Sequence, residues 1–275
     1  MEEQDFCFKR QHNTIPTVSG KLVNFVAFET VKPQTMGKLL VKVHACVMTF
    51  AWMFCASIGI IVSRFYKPLW PHKRHCGRKV WFMIHRSLML ILGLLVTGAF
   101  VVIFLEVRGI SEISFVDFHN IHPVLGIIVM ALTIVQIFLG LFRPASASKN
   151  RPMFNWSHWG IGIILHMLSV VNIILGVRIK KMQIQYYVSY ILYIYAAYQV
   201  LVVFVLEVVA YSSRIKERKQ QTYSMYAAQN TTYSSTKDGS TDEPPGSFTR
   251  RVILRIHVVM VTILTGSVVV IIAIS

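Results

Sequence analysis

Four histidines occupy equivalent places in four hydrophobic runs. His44 in VHACVMTFAW, His85 in WFMIHRSLML, His122 in NIHPVLGIIV and His158 in NWSHWGIGII each fall within the first two turns of a run, at separations of 41, 37 and 36 residues. An ionisable side chain at membrane depth is costly and marks a functional site by default. One imidazole at a helix end also suits the headgroup layer, but four in matched register do not have that explanation. Successive spans run in opposite directions, so His44 and His122 share one membrane face and His85 and His158 the other. Two imidazoles at equal depth on facing helices supply the two axial nitrogens of a six-coordinate haem iron. The chain has no CxxCH motif, so such a haem is of the b type, without thioether bonds.

Smaller signals accompany the histidines. Gly126 and Gly162 follow His122 and His158 by four residues, one turn on along the same face, where a missing side chain leaves room for a flat macrocycle. The same spacing also serves plain helix packing. Ala51 and Cys55 fall close to the face of His44. His166 lies eight residues beyond His158, about 12 Å deeper and about 80° round the helix, and is the alternative ligand in that span. His119, one turn before His122, is placed to help an external acceptor dock or simply to be solvated. His72, His75 and His257 receive no role.

The elements that must position these residues are transmembrane helices. The chain has 275 residues, 54% hydrophobic and 15% charged, with a mean hydropathy of +0.55, too apolar for an ordinary soluble domain. Runs near 40–63, 80–106, 118–142, 156–177, 184–211 and 252–275 reach the roughly 20 residues a helix needs to cross about 30 Å of hydrocarbon. They lack the alternating polarity of barrel strands. The expected fold is all-α: a polytopic transmembrane bundle of six helices with a four-helix haem-binding core.

The net charge of +16 does not indicate nucleic acid, because sixteen of the 28 Lys and Arg residues lie in alternate loops, 64–80, 143–154 and 212–251. The positive-inside bias makes those loops cytosolic and both termini extracytoplasmic. The basic tail, residues 1–42, runs against this but carries no apolar signal sequence. Residues 1–40, with the strand-like KLVNFVAF, are too short for a core of their own and are expected to be the remnant of an upstream domain. The haem-binding domain is expected over 41–211, a disordered cytosolic loop over 212–251 and a sixth helix over 252–275. Cys7, Cys46, Cys55 and Cys76 form no legible disulfide or metal framework.

The stretches HACVMTFAWMFCASIGIIVSRFYKP, WFMIHRSLMLIL, IHPVLGIIVMALTIVQIFLGLFRP and FNWSHWGIGI, within residues 44–177, resemble the cytochrome b561 domain. They resemble most the branch in which it follows an extracytoplasmic DOMON domain, as in ferric-chelate reductases. The resemblance implies two haem b groups with His44, His85, His122 and His158 as axial ligands. It also implies electron flow from a cytosolic donor, typically ascorbate, to an external acceptor such as ferric iron. Ala45 and Pro123 depart from the family, which usually has Gly after the first ligand and Ala or Arg after the third. Proline is tolerated in a first helical turn. The expected upstream domains are missing, so the chain reads as a truncated form or fragment.

With both axial positions filled by imidazole, the chemistry is outer-sphere electron transfer across the lipid bilayer rather than oxygenation. Trp52, Phe54 and Trp159 are candidate intervening aromatics as well as core residues. Lys73, Arg74, Arg78, Lys79 and Arg86 crowd near the start of the second run, where their field favours an anionic donor. Tyr186, Tyr187, Tyr190, Tyr193, Tyr195 and Tyr198 read as an interfacial aromatic belt, and Gln199 and Glu207 as facing protein. A non-redox membrane adaptor keeping the fold is the rival reading, against which the intact histidines argue. A proton-coupled transporter requires carboxylates beside the histidines, and the first four runs hold only Glu106 and Asp117, near their ends. A homodimer is allowed by the sequence.

Overall fold

A computed structural model describes residues 22–23, 30–31, 33–71, 73–75, 77–107, 121–179, 184–230 and 243–275. The chain divides into two units, residues 1–39 and 40–275. In the first, β1 (Leu22–Val23) and β2 (Thr30–Val31) pair antiparallel, with Leu22 opposite Val31. His119, Asp117, Cys7, Cys76 and His72 lie outside the described residues.

Six helices among the described residues are long and apolar enough to cross a membrane, as the hydropathy predicts. The first span is composite: α1 (Pro33–Thr49), a π-helical segment (Phe50–Ala56) and α2 (Ser57–Phe65). A short hairpin, β3 (Arg74–His75) with β4 (Arg78–Lys79), follows and turns at Gly77 with φ of 72°. The remaining spans are α3 (Val80–Val107), α4 (His122–Leu141), α5 (Arg151–Val177), α6 (Tyr187–Asn230) and α7 (Ser247–Ile274). Pro123 and Pro152 sit in the first turns of α4 and α5, where a missing amide proton costs no helical bond.

The packing pairs α2 with α3, α4 with α5, and α6 with α7. The first span is central, with 61% of its most apolar stretch buried against 11–28% for the others. Its small residues Ala51, Cys55, Ala56, Ser57 and Gly59 are all buried and let neighbouring backbones approach. Ala51, Cys55 and Ala56 meet Leu92 and Val96 of α3, Leu165 and Val170 of α5, Leu192 of α6 and Val268 of α7 in one core. Leu94, Leu105, Ile164, Val200 and Phe204 point outward, where lipid is the matching solvent.

Two expectations need correction. Residues 212–230, expected within a disordered loop, continue α6. The stretch SSRIKERKQQTYSMYAAQN holds no Gly or Pro and is rich in Arg, Lys, Glu, Gln and Ala, which favour helix in water. The last helix begins at Ser247 rather than 252, after Gly246 turns the chain with φ of 80°.

Candidate cofactor-binding site

The four histidines meet in two pairs. His44 and His122 place their ring centroids 6.4 Å apart with planes at 89°, and His85 and His158 are 6.2 Å apart at 83°. Each pair joins a histidine from the first span or α3 to one from α4 or α5.

The second nitrogen of each ring shows how the pairs are held. His44 Nδ1 donates to the Ala99 carbonyl at 2.8 Å, His85 Nδ1 to the Gly59 carbonyl at 3.0 Å, and His122 Nδ1 to the Asn172 carbonyl at 2.9 Å. A carbonyl only accepts, so Nδ1 carries the proton and Nε2 of the neutral ring keeps its lone pair for a metal. The acceptors follow a rule. Ala99 lies 14 residues after His85, and Asn172 lies 14 after His158. In each antiparallel pair, one histidine is thus held by the backbone about 21 Å along the helix from its neighbour's histidine. That distance also sets how far apart the two pairs lie across the bilayer.

Gly59 breaks the rule by one, lying 15 residues after His44. The π segment supplies the reason, since a π turn accommodates one residue more than an α turn. His158 departs differently. Among the described residues its buried Nδ1 has no hydrogen-bond partner, while its backbone carbonyl accepts from Gln136 Nε2 at 2.9 Å. Gln136 is the residue 14 after His122.

A family model described as eukaryotic cytochrome b561 matches residues 43–183, the part of the chain that carries all four histidines. The chain belongs to the eukaryotic cytochrome b561 family. It is 37% identical to ferric-chelate reductase 1 of Homo sapiens over 174 residues, 63% of this chain and 28% of that protein. It is 37% identical to ferric-chelate reductase 1 of Bos taurus over 146 residues, 53% of this chain and 24% of that one. A cytochrome b561 and DOMON domain-containing protein of Arabidopsis thaliana is 30% identical over 177 residues, 62% of this chain and 43% of that one. The chain thus spans less than a third of the length of the ferric-chelate reductases it matches. No solved structure matches the chain.

Cytochrome b561 membership implies haem b, and the paired rings fit it. Two metal–nitrogen bonds of about 2 Å, with each nitrogen about 1.1 Å from its ring centre, require centroids about 6.2 Å apart. The observed 6.4 and 6.2 Å meet that requirement. The ring that meets His85 belongs to His158. His166 lies two turns deeper with both ring nitrogens buried and unpartnered among the described residues.

Glycines close the surroundings in ways that spacing alone did not reveal. A Cβ on Gly126 would lie 3.5 Å from Asn172 Nδ2, and one on Gly162 would lie 3.6 Å from Gln136 Nε2. Side-chain amides therefore border the two notches. Gly176 is the tight position, where a Cβ would come within 2.8 Å of His122 Cε1. Asn172 and Gln136 are not distinguished as functional candidates by residue type or hydropathy. The detectable signal was the repeat of His, Gly at +4 and an amide residue at +14 in both α4 and α5.

The cations beside the His85–His158 pair also differ from expectation. Lys73, Arg74, Arg78 and Lys79 belong to or flank the exposed hairpin. Arg78 still reaches the Phe82 ring at 6.0 Å, and Arg64 and Lys67 at the end of the first span, with Arg143 and Arg151 from the α4–α5 connection, lie over aromatic rings as well. Arg64 lies over the Trp159 ring at 5.2 Å, Lys67 over Trp81 at 4.9 Å, Arg143 over Phe82 at 4.6 Å and Arg151 over Phe154 at 5.3 Å. Phe154 in turn stacks on His158 at 5.5 Å. Desolvation, then the charges of Arg143, Arg64 and Arg151, hold the Lys67 ammonium below its ordinary value. Desolvation and Arg151 lower Arg143 likewise. Glu207 answers part of this charge, pairing with Arg64 at 3.0 Å and Arg214 at 3.8 Å.

Of the tyrosines expected in an interfacial belt, Tyr186, Tyr187, Tyr190 and Tyr193 are exposed. Tyr195 is fully buried and Tyr198 partly so, and both make polar contacts inside the bundle. Trp52 is buried core, whereas Trp159 is exposed beneath Arg64.

Proposed function

We propose that this chain moves electrons across the membrane through two haem b groups, one held by His44 and His122 and the other by His85 and His158. The observation that carries the reading is the pair of facing imidazoles at each end of one four-helix core, at separations that suit a shared iron. Bound haem supplies one-electron transfer without an open coordination site. The chain's own residues do the rest. Ala99, Gly59 and Asn172 carbonyls fix three imidazoles as Nδ1–H tautomers, and the apolar core excludes water between the sites.

The donor in this reading is an anionic reductant of the ascorbate class. Arg64, Lys67, Arg143 and Arg151 support it, because these cations lie close to one another and Glu207 answers only part of their charge, which leaves positive charge for an anion to neutralise. Their loops are the basic ones, which the positive-inside bias assigns to the cytosol, with both termini outside. The similarity to proteins named ferric-chelate reductase 1 supports ferric iron in a chelate as the acceptor, which this reading puts on the opposite face.

Absorption spectra and vesicle assays test the proposal together. Purified protein reduced with dithionite should show sharp α and β bands with two haems per chain. Vesicles loaded with ascorbate, bearing the basic loops inward, should reduce an external ferric chelate. A folded protein without haem absorbance would sink the reading.

A further inference from the structure

Outside the four-helix core the bundle buries a second polar cluster, built by α6 and α7 against the first span. His257 of α7 is fully buried, with Nε2 3.0 Å from Ser57 Oγ and Nδ1 3.1 Å from the Tyr198 hydroxyl, on whose ring it stacks at 5.6 Å. Gln199 Nε2 donates to the same Ser57 hydroxyl. A donor order consistent with these contacts runs from Gln199 to Ser57, from Ser57 to His257 Nε2, and from His257 Nδ1–H to the Tyr198 oxygen. Tyr195 adds a bond from its hydroxyl to the Met53 carbonyl at 3.1 Å.

These contacts converge on the π segment. Met53 lies inside it and Ser57 is the first residue after it, two before Gly59. A π turn is a strained insertion that persists where neighbouring groups hold it, and it recurs at functional sites. Here it shifts the following backbone by one residue, so that Gly59 rather than Ile58 presents its carbonyl to His85. Gly59 also lets α2 and α3 close, since a Cβ there would collide with Met89 Cε. His257 and Gln199 lie beyond residues 43–183, the part of the chain that the family model matches.

We propose that the polar cluster of Tyr195, Tyr198, Gln199 and His257 locks the π segment in register. His257 is thereby a positioning residue for the haem held by His85 and His158, acting through Ser57 and the Gly59 carbonyl. The inference rests on the haem reading above. A ligand imidazole that loses its Nδ1–H acceptor changes ring orientation and basicity, which alters the iron it binds.

The test uses the full chain in detergent, with low-temperature electron paramagnetic resonance and a spectroelectrochemical titration. His257→Phe should keep both haems and shift the low-spin signal and midpoint potential of one of them, the one that His85→Ala removes. Tyr195→Phe, which deletes a single hydroxyl, should shift the same haem and decides the matter if His257→Phe does not fold. Thr265→Val removes a buried hydroxyl of α7 outside the cluster and should shift neither. Unchanged signals in Tyr195→Phe and in folded His257→Phe, or equal shifts of both haems, would overturn the inference. Absence of haem from the unaltered chain would instead overturn the haem reading on which it stands.

Discussion

Gln136 Nε2 donates a 2.9 Å hydrogen bond to the backbone carbonyl of His158, although the position 14 residues before it, His122, is held through its ring. The two halves of the α4–α5 pair are therefore alike in spacing and unlike in chemistry. Asn172 gives a main-chain carbonyl to an imidazole, whereas Gln136 gives a side-chain amide to a main chain. Replacing Gln136 with Leu removes a bond worth about 1 kcal/mol that holds the backbone at His158, whose ring Nδ1 has no hydrogen-bond partner of its own among the described residues. The haem of His85 and His158 should then be released at lower temperature than the other. Following haem absorbance through a thermal ramp checks this, and simultaneous release of both haems would contradict it.

The pairing of rings predicts non-additive losses. His85→Ala and His158→Ala should each remove the same haem, leaving roughly half the absorbance, and the double variant should lose no more. His44→Ala and His122→Ala should remove the other. His166→Ala should retain both, because its ring meets neither pair. Haem content per chain distinguishes these outcomes. Loss of a haem in His166→Ala with retention in His158→Ala would reverse the assignment in α5.

Gly176 makes a steric prediction. A methyl group there would sit 2.8 Å from His122 Cε1 and 3.0 Å from its Nδ1, and the ring is already tied to the Asn172 carbonyl. Gly176→Ala should therefore displace the imidazole and deplete the His44–His122 haem while sparing the other. Gly140→Ala meets nothing within 4 Å and should behave as the unaltered chain. Equal haem occupancy in the two variants would show that the ring moves aside freely.

The cation cluster predicts a kinetic effect with a defined sign. Arg143→Gln or Lys67→Gln removes one positive charge from the approach to His85 and His158, so reduction by ascorbate should slow by roughly 10-fold at low salt. The difference should shrink as ionic strength rises and the field is screened. Stopped-flow reduction over a salt series measures both. Arg74→Gln in the exposed hairpin should change the rate less, and the reverse ranking would move the donor site to the hairpin.

Orientation can be read from glycosylation. Asn155-Trp-Ser157 and Asn230-Thr-Thr232 both lie on the side assigned to the cytosol. Expression in a eukaryotic host should leave both unmodified, and an endoglycosidase-sensitive mass at Asn230 would invert the topology.

Hydropathy and helical spacing are one-dimensional properties, and they determined a great deal on their own. Bilayer thickness converts run length into six spans, and antiparallel succession converts histidine position into two depths. Which rings would share a depth was thus legible from His44, His85, His122 and His158 before any helix was packed. Cross-helix neighbours are not one-dimensional. That α6 would carry on to Asn230 depended on local helix preference overriding a reading of polar composition as loop. Nothing in FAWMFCA announces a π turn, because its extra residue is held by Tyr195, Gln199 and His257, which come from helices more than a hundred residues away. The same holds for Arg64, Lys67, Arg143 and Arg151, drawn from two separate connections onto one pair of histidines. Only the tertiary structure could decide these, since a buried hydrogen bond or a crowded charge is set by which side chains the packing brings within a few ångströms, and sequence distance does not encode that.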